Sequence, residues 1–184
     1  MGKIEDLAER YHRHVCVPWQ RTVAGAQRVV IVVYDKSLER AFRARKQEFA
    51  LRTDKAGREW VEFDCTRTFA EWMAADEYRD AYFESPADLA MKEGEFREHV
   101  VAQLRQQLRT AGDNSVVGMT GVGSLYGFAH IHEIVRAVEP DIRGRLVVFF
   151  PGSKDGNNFR LLDARDGWNY LATTITLDDE VGAA

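Results

Sequence analysis

A chain of 184 residues with 25 basic and 29 acidic side chains, a net charge of −4 and 45% hydrophobic content can bury roughly 70% of its unfolded surface in one domain. Such a chain needs no disulfide or metal staple, and its acidic balance argues against direct nucleic-acid binding. Cys16 and Cys65 stand alone, with no CxxC and no Cys/His cluster, which speaks against zinc and for buried structural thiols in a reducing cytosol.

The N-terminal stretch MGKIEDLAERYHRH has no apolar signal core, and no run reaches bilayer-spanning length, so a cytoplasmic protein without a membrane partner is expected. Ile4, Leu7 and Tyr11 recur at helical spacing and predict an amphipathic helix over 3–14, which Pro18-Trp19 turns out of. His12 and His14 lie two apart on it, pointing to opposite sides, which disfavours a shared metal. Residues 28–34, RVVIVVY, form a β-branched run expected as an interior strand of a parallel sheet. Asp35 or Ser37 can cap the next helix, in which Leu38, Phe42 and Phe49 face inward.

Between Lys36 and Arg58 there are eight basic and three acidic residues, and between Glu59 and His99 twelve acidic and four basic. Neighbouring blocks of opposite sign are expected to pair on the surface, the alternative being a docking patch for an acidic partner. Trp60 to Asp64 alternates like a half-buried strand near a sheet edge, and Thr68-x-x-Glu71 reads as a capping box opening a helix with Phe69, Trp72 and Met73 inside. The spacing of Trp72, Tyr78, Tyr82 and Phe83 favours core or interhelix packing over a base-stacking surface. Ser85-Pro86 opens a short helix. Phe96, Val100, Leu104 and Leu108 mark a long one, ended at Ala111-Gly112.

Residues 115–120, SVVGMT, are a further strand, running into Gly121-Val122-Gly123-Ser124. Helix signals resume at once through Phe128, Ile131, Ile134, Val135 and Val138. Leu146 to Phe150 is an unbroken apolar run into Pro151-Gly152, suited to a central strand buried on both faces. Asp155-Gly156-Asn157 suits an Asx turn, and Asp166-Gly167 is a hairpin dipeptide with Leu171 to Ile175 as an antiparallel second arm. Alternating strands and helices predict an α/β fold: a three-layer α/β/α domain with a mostly parallel central sheet and a C-terminal antiparallel hairpin. One domain is expected over 1–184, with 1–20 an N-terminal helix and turn and 178–184 a frayed tail.

In such sheets ligands bind outside the carboxyl ends of the strands. Those ends carry Tyr34-Asp35, Asp64, Gly121, Gly123 and Ser124, and Pro151, Gly152 and Ser153. Gly121 and Gly123 before a helix would suit an anion cradle, but Gly121-x-Gly123-x-x-Tyr126 misses the dinucleotide fingerprint and lacks a Walker A lysine. A strand-to-helix turn that needs glycine for its backbone angles is the simpler reading. His130 and His132 sit two apart, so both cannot face one metal; a satisfied hydrogen-bonded histidine is the simpler reading and one facing the crevice the alternative, so His132 joins the ligand or partner candidates with Asn157, Asn158 and Arg160. No catalytic set, metal site or cofactor motif is distinguishable.

Gly121-Val122-Gly123 leading to Phe128 and His132, the strand ending Phe150-Pro151-Gly152, the segment Asn158-Phe159-Arg160-Leu161-Leu162-Asp163 and Trp168-Asn169-Tyr170 together resemble the BrxB-domain proteins of bacterial BREX phage-exclusion systems. The strand ending Val33-Tyr34-Asp35 and the overall size fit too. Where the family carries Pro-Phe and an arginine after GVG, this chain has Gly127-Phe128 and His130, which marks a divergent branch. The resemblance implies a small cytoplasmic α/β protein of an antiviral defence locus, with a fold akin to nucleotide-binding folds. It implies no established catalysis and association with a PglZ-type alkaline-phosphatase-like protein. A non-catalytic binding or scaffold subunit is therefore the leading expectation. The alternative is a small-molecule or nucleotide-binding enzyme using the crevice between Asp35, Gly123 and Gly152.

Overall fold

The computed structural model describes residues 2–162, 168–170 and 172–177. In chain order the elements are α1 (Lys3–Val15), β1 (Val29–Tyr34), α2 (Glu39–Arg45), α3 (Gln47–Lys55), β2 (Glu59–Asp64), α4 (Thr68–Ala74), α5 (Arg79–Glu84), α6 (Glu93–Thr110), β3 (Ser115–Thr120), α7 (Ile131–Val138), β4 (Arg145–Asp155), β5 (Asn158–Leu161), β6 (Trp168–Asn169) and β7 (Thr173–Ile175). The main sheet runs β2-β3-β4-β1-β7 with every neighbouring pair parallel. The expected three-layer architecture is what the chain forms.

Side-chain alternation assigns the layers, because successive strand residues point to opposite faces. Val30, Val32 and Tyr34 of β1 with Val147 and Phe149 of β4 meet Leu7 and Tyr11 of α1 and Phe42 and Phe49 of α2 and α3. Phe149 is the hub of that face, with ring centroids 4.8 Å from Phe49, 5.1 Å from Phe42 and 6.1 Å from Trp60. Full burial of such a ring stabilises by about 1.5–3 kcal/mol. On the other face Val29, Ile31 and Val33 join Leu146, Val148 and Phe150 under α6 and α7. Strand β2 ends the sheet, half-buried as its alternation predicts.

Beyond Pro151 the fourth strand leaves the main sheet. Gly152 to Asp155 pairs antiparallel with Leu161 to Asn158, and β5 pairs antiparallel with β6. Phe159 and Tyr170 lie in the core that holds Val29, Ile31 and Val33, and the Phe159 ring meets Phe150 at 5.9 Å, so this hairpin packs on the α6 and α7 face of the sheet. The C-terminal antiparallel hairpin is therefore present. Asp166-Gly167, Leu171 and the tail 178–184 lie outside the described residues. Thr173–Ile175, expected as an antiparallel arm, instead runs parallel to β1, with Thr173 opposite Val30.

Several local expectations change. Thr68 opens α4 as its first helical residue, buried, and no side chain caps the helix, so the capping box does not form. Cys65 is buried but Cys16 is exposed, its sulfur 3.4 Å from His12 Nε2. Basic residues of 36–58 pair both with the following acidic block and with α1. Lys46 bridges Glu62 (2.5 Å) and Asp64 (3.1 Å), and Arg45 pairs with Glu5 and Arg52 with Glu9. Stacking α1 on α3 brings these groups together, a proximity invisible in linear charge blocks. Of the aromatic group after β2, Trp72 packs on Phe96 at 5.2 Å, whereas Tyr78 and Phe83 are 61% and 66% exposed.

Candidate functional site

The carboxyl ends of the strands hold a satisfied polar rim. Tyr34 is buried, its ring stacked 4.7 Å from Phe42 and its hydroxyl donating to Glu39 Oε2 at 2.6 Å. Burial and the Glu39 carboxylate push that hydroxyl well above its ordinary range. Asp35 is exposed and caps a 3-10 turn by accepting from Ser37 N at 2.8 Å, which holds its carboxyl below the usual value. Although burial acts to raise the Asp64 carboxyl, Thr66 and Lys46 hold it low. Glu62 Oε1 accepts from Lys46 Nζ and, at 2.9 Å, from the Thr120 hydroxyl. Asp35 and Asp64 end strands three places apart in the order β2-β3-β4-β1, about 14 Å at the usual strand spacing. Two carboxylates so far apart do not act on one bond.

The glycine turn is built differently from an anion cradle. Gly121 adopts φ +68°, and a Cβ there would collide with Thr66 and come within 2.8 Å of Asp64 Oδ1. Val122–Leu125 is one 3-10 turn whose N–H groups close on the turn itself, Ser124 N to Gly121 O at 3.0 Å and Tyr126 N to Gly123 O at 3.2 Å. Helix α7 begins only at Ile131, after Phe128 has left the helix path to stack 3.8 Å from Phe69. No helix N-terminus therefore stands behind the two glycines.

His130 is the N-cap residue of α7, in extended conformation, so the rule that residues two apart on a helix diverge does not govern it. Its ring centroid lies 5.7 Å from that of His132. Burial lowers the His132 pKa, assisted by His130 and Arg136 and opposed by Glu133, which favours the neutral ring. Among the described residues no group of three or more His, Cys, Asp or Glu side chains is placed to hold a metal ion.

The hairpin separates the remaining sequence candidates. Pro151 pairs with Tyr34 and accepts from Leu162 N at 2.9 Å, and a Cβ on Gly123 would lie 3.6 Å from its ring. Gly152 makes the bend. Ser153 faces Arg160 across the hairpin, both exposed, and Asn157 and Asn158 are exposed at its tip. Asn157 is carried to the opposite end of the sheet, where it lines an open cavity of about 620 Å³ with His14, Trp19, Gln27, Arg145 and Thr173. The twelve candidates thus occupy a rim, a helix and a hairpin rather than a single crevice.

The described cavities cluster at the amino ends of the strands. A second one, of about 490 Å³, is lined by Trp19, Arg21, Arg28, Arg58, Arg143 and Arg145, with Asp113 as its one carboxylate. Arg58 lies 3.8 Å and Arg145 4.6 Å from the Trp19 ring centroid. Arg28 donates to the carbonyls of Ile142 (2.6 Å) and Arg21 (2.9 Å), and Arg58 to Val17 O (3.2 Å) and Asn114 Oδ1 (2.5 Å). Periodicity missed this cluster because its members are scattered in sequence. A usable signal was present: Arg28 immediately precedes β1, Arg58 precedes β2 and Arg145 opens β4, and parallel strands align their amino ends.

The described residues contain no helix long and apolar enough to cross a membrane. A family model described as BREX protein BrxB matches residues 66–175, more than half of the chain. Comparison with curated proteins and with solved structures finds no match.

Proposed function

This chain belongs to the BrxB family, which points to a component of a BREX phage-defence system, and we propose that it serves there as a binding subunit that docks a PglZ-type alkaline-phosphatase-like protein in the cytoplasm. One observation carries the reading: Tyr78, Phe83 and Met91, 61%, 66% and 75% exposed, lie on one excursion between β2 and β3. Neither α5 nor the 3-10 segment Pro86–Lys92 beside it has a buried residue. Large apolar side chains with no place in their own core mark interaction surfaces. Glu77, Asp80, Glu84 and Asp88 lie on the same excursion against Arg79, Asp76 being paired with Lys92, so in this reading the partner surface is apolar with basic groups beside it. Exposed Ser153, Asn157, Asn158 and Arg160 of the hairpin form a second contact region in this reading.

Co-purification tests it. Tagged chain expressed with the PglZ-type protein of its own locus retains that protein through washing, and Phe83→Asp releases it. Failure of the unaltered pair to associate, by pull-down and by analytical ultracentrifugation, removes the reading.

A further inference from the structure

We propose that the arginine-lined cleft at the amino ends of the strands is a binding site for the diphosphate group of a small phosphorylated ligand. The inference is independent of the docking reading, since it concerns another surface and another class of partner.

Five arginines and one aspartate line this cleft, and Asp113 is paired with Arg143 at 3.0 Å. Among the described residues no carboxylate pairs with Arg28, Arg58 or Arg145; the acceptors they do reach are backbone carbonyls and the Asn114 amide. Burial, with the like charges of Arg28 and Arg58, pulls the Arg145 guanidinium below its ordinary value. The charge is therefore gathered without being neutralised. Donors are in surplus too, since Trp19 Nε1 and Arg28 Nε are buried without an acceptor. Arg145 uses one of its five donors, on Gly144 O at 3.0 Å, and keeps most of its fork for a ligand.

The chemistry of the ligand follows from these groups. Guanidinium forks match oxyanions in bidentate geometry, and several converging forks favour a group with more than one negative charge. A cleft of about 490 Å³ falls in the size range of small-ligand sites. A long nucleic acid suits it less, because the chain carries a net charge of −4. Its one aromatic, Trp19, already has two guanidiniums against its ring, leaving base stacking to compete with them.

Calorimetric titration of the whole chain at low salt with inorganic pyrophosphate, ATP and a short single-stranded DNA separates the cases. Pyrophosphate and ATP are expected to bind one site with Kd below about 1 mM, and Arg145→Gln to weaken both about tenfold, equivalent to about 1.4 kcal/mol. Arg67→Gln, 80% exposed just past the carboxyl end of β2 and away from the cleft, leaves both unchanged. Tighter binding of ATP than of pyrophosphate identifies a nucleotide, and equal binding a diphosphate without a base. If Arg145→Gln does not fold, the indole N–H resonance of Trp19 in the unaltered chain decides, because pyrophosphate must shift it. The proposal is overturned by silence of both heat and resonance, by equal weakening in Arg67→Gln, or by binding of DNA alone.

Discussion

Gly152 lies so close to the backbone of Arg160 that a Cβ at 152 would overlap the Arg160 carbonyl oxygen and sit 3.0 Å from its carbonyl carbon. The contact lies where β4 leaves the main sheet, so the glycine lets β5 pair closely with β4 and bring Phe159 against Phe150 in the core. Gly152→Ala is expected to destabilise the chain by about 2–4 kcal/mol, since backbone or hairpin must move. Urea unfolding measures it. A midpoint equal to that of the unaltered chain would show that the bend tolerates a side chain.

Gly121 and Gly123, two residues apart, make opposite demands. At Gly121 the left-handed φ of +68° and the proximity of Asp64 and Thr66 both oppose a side chain, so Gly121→Ala costs about 1–3 kcal/mol. At Gly123 a Cβ meets Pro151 at an ordinary 3.6 Å, and Gly123→Ala changes stability by less than about 1 kcal/mol, in either direction. Thermal melts of the two variants test the contrast. Equal losses would show that the backbone angle and close contacts at Gly121 do not set the two positions apart.

Periodicity carried most of the fold because burial on two faces leaves a strong imprint on strands. VVIVVY and LVVFF are interior strands, and the Phe96, Val100, Leu104 and Leu108 stripe is the buried face of α6. What escaped was set by tertiary proximity. Phe128 reads as the start of a helix, but it precedes α7, follows Gly127 at φ +81°, and stacks on Phe69 instead. Tyr78 and Phe83 sit at core-like spacing, yet α5 finds no face of the sheet to cover. Trp19 looked like a turn residue, and only the alignment of three strand starts brings Arg58 and Arg145 to it.

Asp141 links acid stability to the packing of α6. Its two oxygens accept from Arg105 Nε and Arg109 Nε, each at 2.8 Å, with the side chain 12% exposed. Burial acts to raise its carboxyl pKa, but the two arginines outweigh it and the net displacement is downward from 3.8. A depressed folded value means this group's stabilisation is whole above the unfolded pKa and is lost as pH falls through the folded one. Melting temperature therefore has no Asp141-dependent slope between about pH 5 and 7 and acquires one below about pH 4. Asp141→Asn abolishes that extra slope. Parallel melting curves for both chains from neutral to acid pH would dismiss the link.

Phe83 separates binding from stability. Because its side chain is 66% exposed on a helix with no buried residue, Phe83→Ala should alter folding stability by less than about 0.5 kcal/mol. Phe69, stacked 3.8 Å from Phe128 and 5.2 Å from Phe96, provides the contrast, with Phe69→Ala costing about 3 kcal/mol. If the α5 excursion is the docking surface, an aromatic anchor at its centre contributes about 2 kcal/mol or more to association, so Phe83→Ala weakens the complex roughly thirtyfold. Melting curves and titration against the PglZ-type protein, run on the same preparations, read the two quantities separately. Full affinity in Phe83→Ala would move the interface off this surface, and lost affinity accompanied by an equal loss of stability would make Phe83 a structural residue instead.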